Sequence, residues 1–126
     1  VVAVSDKNEA ERTALSYLVN QVRRSWRVGV GSFEEQPALE LTDSGETGYH
    51  TVLYVYDGQL RELYAEKDSG MKAEDGVAIL PLAGMELTLE GDLLTIAVTA
   101  EGGEACSASV TSRMGVDMVP GGEVLG

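Results

Sequence analysis

Apolar side chains recur every three or four residues in the N-terminal part of the chain. The positions that share this spacing are Leu15, Leu18, Val19, Val22 and Trp26. Residues with that period lie on one face of a helix, and the polar residues between them occupy the other face. The pattern predicts an amphipathic helix over about residues 8–27. Asn8 and Glu11 can cap its first turn, and Gly29 and Gly31 are expected to end it.

Beyond the helix, apolar and polar residues alternate, which is the period of a β-strand. Turn-forming residues separate the alternating runs, and the pairs Asp57-Gly58 and Gly91-Asp92 predict two tight hairpins. The predicted strands cover residues 38–42, 49–56, 59–65, 77–80, 85–90, 93–100 and 105–113. Residues 115–126 contain a Pro-Gly-Gly run, and we predict that they form a flexible C-terminal tail.

The second hairpin shows which side of the predicted sheet is buried. One row of its side chains is apolar, whereas the opposite row contains Glu86, Thr88 and Glu90. The apolar row consists of Met85, Leu87, Leu89, Leu94, Ile96 and Val98, with Cys106, Ala108 and Val110 beside it. A sheet with one apolar face needs one cover. We therefore predict a single α+β domain over residues 1–114, in which the long N-terminal helix packs on one antiparallel β-meander sheet as a two-layer fold.

The charge of the chain is negative and unevenly distributed. Its 126 residues include nine Lys and Arg against 21 Asp and Glu, which gives a formal net charge of −12. Residues 1–27 carry a net charge of +2, and residues 28–126 carry −14. An acidic surface repels phosphate backbones and anionic lipids, so we expect the body of the protein to contact neither nucleic acid nor an acidic membrane surface.

The sequence contains no recognisable catalytic, cofactor-binding or metal-binding motif. His50 is the single histidine, and Cys106 is the single cysteine. A lone strand histidine is typical of a surface position, and a cysteine without basic neighbours is typical of an inert buried thiol. We therefore predict a non-enzymatic protein with no catalytic residue, no cofactor and no metal.

Two acidic turns raise calcium binding as an alternative, because Ca²⁺ prefers carboxylate and carbonyl oxygens from loops. Neither turn has the residue spacing of an EF-hand loop. The first group is Asp43, Ser44 and Glu46, and the second is Asp68, Ser69, Glu74 and Asp75.

Arginines at the end of the helix and tyrosines in the first hairpin form a candidate interaction surface. The arginines complement the negative end of the helix dipole, and the tyrosines can pack across neighbouring strands. Tyrosine is also enriched in the cores of protein interfaces, and the arginines can form a basic stripe that meets acidic faces of neighbouring copies or partners. The candidate surface consists of Arg23, Arg24, Arg27, Tyr54, Tyr56 and Tyr64.

Several stretches carry a resemblance to known families, namely residues 12–23 (RTALSYLVNQVR), 54–63 (YVYDGQLREL), 74–76 and 87–99. A helix followed by an antiparallel meander resembles the soluble part of a type IV pilin or pseudopilin. From residue 8 to residue 113, the sequence is similar to an uncharacterised family of small envelope proteins, found largely in Gram-positive bacteria. The resemblance implies an extracytoplasmic protein of the cell envelope, anchored in the membrane by a hydrophobic N-terminal helix upstream of Val1.

The chain departs from the pilin pattern at three positions. Mature pilins begin with an aromatic residue and carry Glu at the fifth position, whereas this chain has Val1 and Ser5. Cys106 alone cannot form the C-terminal disulfide of many pilins. The expected function is a structural or assembly subunit whose partners are other pilin-like subunits or envelope assembly proteins. The alternative is a soluble extracellular binding module for a small ligand or peptide, which predicts an apolar pocket with a few polar groups.

Overall fold

The computed structural model describes residues 2–42, 49–66, 70–100, 102–103, 105–112 and 115–124. Within these ranges the chain forms one α-helix, nine β-strands and a single 3-10 turn at Ala73–Asp75. The elements are α1 (Val2–Arg24), β1 (Arg27–Phe33), β2 (Gln36–Thr42), β3 (Tyr49–Tyr56), β4 (Gln59–Glu66), β5 (Val77–Pro81), β6 (Gly84–Glu90), β7 (Leu93–Thr99), β8 (Cys106–Val110) and β9 (Val116–Glu123).

The strands form two sheets rather than one. The larger sheet has the strand order β5-β4-β3-β2-β1-β9, and all its neighbouring strands are antiparallel except β1 and β9, which are parallel. The smaller sheet has the order β6-β7-β8 and is antiparallel. The chain passes between them at two adjacent residues. The Leu82 amide donates to Gly58 O in the turn that joins β3 to β4 of the first sheet, and the Ala83 amide donates to Thr99 O of β7 in the second sheet. The α+β class is confirmed, whereas the prediction of one meander sheet is wrong.

The helix begins six residues before the predicted start and ends three residues before the predicted end. The Ser25 hydroxyl donates to Gln21 O at 2.6 Å and thereby satisfies a terminal carbonyl, and Arg27 already begins β1. Trp26 is 39 % exposed and is not part of the helical core face. Gly29 and Gly31 lie inside β1 instead of ending the helix. Glycine is uncommon in strands, which is why the alternation in β1 was not recognised.

The main core lies between the six-stranded sheet on one side and α1 with the three-stranded sheet on the other. Val30, Leu39 and Leu53 are register partners across β1, β2 and β3, and each is buried. The helix contributes Leu18 and Val22, both fully buried. The predicted apolar row of the second hairpin is confirmed in this core, with Met85, Leu94, Ile96, Val98 and Val110 buried and Leu87, Leu89, Cys106 and Ala108 partly buried.

A second, smaller core lies on the opposite face of the six-stranded sheet, so this sheet has buried side chains on both faces and is not the half of a two-layer fold. Its members are Phe33, Ala38, Val52, Tyr54, Leu63, Ala65, Ala73, Val119 and Val124. The last two come from the segment predicted as a flexible tail. That prediction is wrong for β9, which packs against β1. Gly29 and Gly31 leave space for Val119, because a Cβ at position 29 would lie only 2.8 Å from Val119 Cγ2.

The hydroxyl of Tyr54 anchors the 3-10 turn to this second core. Tyr54 is fully buried, and its Oη donates to Ala73 O at 2.6 Å. Tyr54→Phe removes the donor of a buried carbonyl, so we expect it to lower the free energy of unfolding by about 1–2 kcal/mol in urea titrations. Tyr64→Phe is the matched control because Tyr64 is 56 % exposed, and a change below about 0.5 kcal/mol is expected there. Equal losses in the two variants would contradict the role of the hydroxyl.

Candidate interaction surfaces

The outer side of α1 and the neighbouring strand β8 enclose an open groove of about 390 Å³. We call it the basic groove, and its lining residues are Arg12, Leu15, Ser16, Val19, Asn20, Arg23 and Ala108. The helical members are three or four residues apart, which places them along one side of α1. Arg12 and Arg23 are both exposed, and they are the charged residues of this lining. The groove is therefore positive, although the chain as a whole is strongly negative.

Strand β8 borders this groove with an open edge. Among the described residues β8 pairs with β7 alone, so one row of its backbone N–H and C=O groups has no neighbouring strand. Ala108 and Cys106 on this strand are half-buried against the main core. An open strand edge can accept hydrogen bonds from an added extended segment.

A second groove, of about 470 Å³, lies where β6 meets β1 and β9. We call it the acidic groove, since its charged lining residues are Glu35 and Glu86. The other lining residues are Val30, Gly31, Ser32, Pro37, Leu87, Thr88, Met118 and Gly122. Met118 is 59 % exposed, so this groove combines two carboxylates with an accessible apolar side chain.

The three arginines of the predicted interaction surface point to different places. Arg23 lines the basic groove. Arg24 lies close enough to Tyr17 for its charge to act on the pKa of that phenol. Arg27 begins β1, and its Nη2 lies 3.8 Å from Asp117 Oδ2 in an exposed ion pair. Arg12, which the predicted surface did not include, joins Arg23 because it lies on the same side of α1.

The three tyrosines of that surface are also separated. Tyr54 is fully buried and cannot contact a partner, since alternation along β3 turns it into the second core. Tyr56 is half-buried, with the Arg61 guanidinium carbon 5.3 Å from its ring centre. Tyr64 is exposed and stacks on Tyr49, with ring centres 5.1 Å apart. The sequence therefore predicted one surface where the structure has several separate positions.

Two polar contacts fix the position of α1 relative to both sheets. Tyr17 donates a hydrogen bond to Glu62 on β4, and burial, followed by this hydrogen bond, raises the pKa of Tyr17 above its usual value. On the other side, the buried Glu11 carboxylate accepts the Ala100 N–H at 2.9 Å. Glu11 lies well inside the helix and does not form the predicted capping box. Glu11 lies four residues before Leu15, and this helical spacing places it on the apolar side of α1, which indicates that it is buried.

The single histidine has polar neighbours, and the calcium candidates can be followed only in part. His50 Nδ1 lies 3.2 Å from Thr42 Oγ1 and 4.0 Å from Glu40 Oε1. In the described ranges no three His, Cys, Asp or Glu side chains are placed to hold a metal ion. Asp75 instead accepts the Lys72 amide at 2.8 Å. The remaining calcium candidates, Asp43, Ser44, Glu46, Asp68 and Ser69, lie outside the described residues.

Comparison with known proteins gives one family match. A family model described as a domain of unknown function (DUF4860) matches residues 9–101, a range that includes most of α1 and the strands from β1 to β7. No curated protein and no solved structure matches the chain. The described part of the chain holds no helix with the length and apolar character that crossing a membrane requires.

Proposed function

We propose that this chain, which belongs to the DUF4860 family of unknown function, is a non-enzymatic assembly subunit of the cell envelope with a pilin-like or pseudopilin-like role. In this proposal a hydrophobic helix upstream of Val1 anchors the protein, and the extracytoplasmic domain contacts neighbouring subunits. The observation that carries the proposal is the basic groove, which places two exposed arginines beside an open strand edge.

Electrostatics favour contact between copies of this chain. The body of the protein carries most of the net charge of −12, whereas the basic groove is lined by Arg12 and Arg23. Complementary patches on like molecules attract one another at close range, even when the net charges repel. The layout supports the same role, because α1 buries Leu18 and Val22 in the main core and leaves Arg12 and Arg23 exposed beside it.

The double substitution Arg12→Glu with Arg23→Glu tests the proposed contact. Both residues are exposed, so we expect a folded monomer whose self-association at low salt is at least tenfold weaker in sedimentation velocity. The native association should also weaken as salt is raised, because salt screens exposed charges. Arg27→Glu with Lys72→Glu changes the net charge equally outside the groove and should leave association within about twofold of native.

A native chain that stays monomeric at low salt and about 1 mM protein contradicts the assembly proposal, since that concentration detects association as weak as roughly −4 kcal/mol. The anchoring part of the proposal has its own test. The reading frame upstream of Val1 should encode a hydrophobic segment of about 20 residues. Fewer than about 15 apolar residues there would contradict membrane anchoring by such a helix.

The open edge of β8 favours a second candidate, a soluble extracellular module that binds an extended peptide. An acidic peptide could add a strand to β8 while its carboxylates meet Arg12 and Arg23. In this case the native chain would remain monomeric and bind a labelled acidic peptide, and the double arginine substitution would abolish that binding.

A further inference from the structure

The two grooves lie at opposite edges of the three-stranded sheet. The basic groove includes Ala108 of β8, and the acidic groove includes Glu86, Leu87 and Thr88 of β6. Because the sheet has the order β6-β7-β8, a partner in one groove does not block the other. Each copy of the chain therefore offers two surfaces of opposite charge to two different neighbours.

We propose that a second copy of this chain docks head to tail, with the arginine side of α1 from one copy bound in the acidic groove of the next. This inference rests on the proposed assembly function and names the two surfaces that meet. Arg12 and Arg23 are exposed at the basic groove, and Glu35 and Glu86 are exposed at the acidic groove, so side chains of opposite charge can meet. Arginine and carboxylate form the strongest charge-assisted pairs available to these side chains.

Apolar side chains accompany the charges on both surfaces. The half-buried Val19 lies between the two arginines on α1, and Leu87 and Met118 lie beside the two glutamates. Met118, at 59 % exposed, is among the most accessible apolar residues of the described chain. Specific interfaces usually have an apolar centre surrounded by charged and polar side chains.

The contact joins two different surfaces, so it is heterologous. A heterologous contact leaves one free surface of each kind at the two ends of any chain of subunits, and association continues unless the rotation closes a ring. The proposal therefore predicts open assemblies that lengthen with concentration. A dimer limited to two copies would point to a symmetric contact and would contradict it.

A reciprocal charge exchange tests the pairing directly. The first variant carries Arg12→Glu with Arg23→Glu, and the second carries Glu35→Arg with Glu86→Arg. Glu35 has a φ of 70°, and arginine is chosen because it adds no β-branch at this backbone conformation. Each variant alone is expected to self-associate at least tenfold more weakly than the native chain. An equimolar mixture should recover association, since every helix in one variant then faces a groove of opposite charge in the other.

Matched controls separate pairing from net charge. Glu74→Arg with Glu90→Arg changes the charge as much as the groove variant at exposed positions outside the acidic groove. Because this control keeps both native grooves, it should self-associate within about twofold of the native chain. The thermal unfolding of each variant, measured by circular dichroism, should stay close to that of the native chain.

The outcomes distinguish this inference from the proposed function. If the arginine substitutions weaken association and the groove substitutions leave it unchanged, the acceptor lies elsewhere, and the inference fails while the assembly function stands. If both variants weaken association but their mixture does not recover it, direct pairing of the two grooves is also contradicted. If the native chain does not associate at all, the proposed function itself fails.

Discussion

Replacing Gly31 with valine is expected to lower the free energy of unfolding by about 3 kcal/mol and to detach β9 from β1. A Cβ at position 31 would lie 2.8 Å from Gly122 O and 3.2 Å from Val119 Cβ. The closer neighbour is a backbone carbonyl, which cannot rotate out of the way as a side chain can. Relief of the overlap therefore requires β9 to move, together with Val119, which belongs to the second core.

Urea unfolding gives the stability change, and hydrogen exchange of the β9 amides shows whether the strand has separated. Gly84→Val is the matched control, because Gly84 also lies in a strand but no atom is within 4 Å of its Cβ position. Its effect should stay below about 0.5 kcal/mol. A Gly31→Val variant with native stability and native protection of β9 would contradict the close packing of these strands.

Replacing Glu11 with alanine is expected to cost about 2–3 kcal/mol, because it leaves the Ala100 amide without its acceptor and opens space in a buried position. Glu11 is only 2 % exposed, and its Oε2 accepts the Ala100 N–H at 2.9 Å. The same oxygen lies 2.8 Å from the Cβ position of Gly103, so the carboxylate also fills the space beside that turn. The contact thus ties α1 to the connection that follows β7.

Glu11→Gln separates the hydrogen bond from the charge. Glutamine keeps an acceptor oxygen in nearly the same volume, so its loss of stability should be less than half that of the alanine variant. Arg12→Ala, one residue away on the exposed side, should change stability by less than about 0.5 kcal/mol. Chemical denaturation of the three variants measures the free energy of unfolding. If Glu11→Ala is as stable as Arg12→Ala, the hydrogen bond between Glu11 and the Ala100 amide contributes nothing to stability.

The local parts of the fold were predictable from the sequence because short-range rules determine them. Asp57 and Gly58 both have positive φ, as the predicted tight turn requires, and they join β3 to β4 in the expected register. In the second predicted hairpin, Gly91 also has a positive φ, and it joins β6 to β7. The apolar side of α1 was also correct for Leu15, Leu18 and Val22.

The parts that were not predicted depend on contacts between distant segments. β1 contains two glycines, and β9 contains a Pro-Gly-Gly run, so neither has the local composition of a strand. Each becomes a strand because the other is present, through pairing and through the fit of Val119 against the glycines. The division into two sheets likewise depends on Leu82 and Ala83, whose amides bond to different sheets.

The same distinction explains the candidate surfaces. Helical spacing predicts a polar side of α1, but the groove that Arg12 and Arg23 line exists only because β8 lies alongside. Glu35 and Glu86 come from separate segments and meet through the packing of β6 against β1 and β9. The prediction that Tyr54 is available to a partner is wrong because both faces of the central strands are covered. Sequence alternation in such strands does not show which side chains are exposed.

The pairing of β9 with β1 also bears on how the protein is synthesised. Val28 and its partner Val116 are separated by 88 positions, so β1 leaves the ribosome long before its neighbour is translated. Until then one edge of the emerging sheet lacks its partner, and the surface at Gly29 and Gly31 lacks its cover. The six-stranded sheet can be completed only after Val116–Glu123 has been translated. Emergence of β9, rather than formation of the early hairpins, therefore sets the earliest moment at which the native domain can exist.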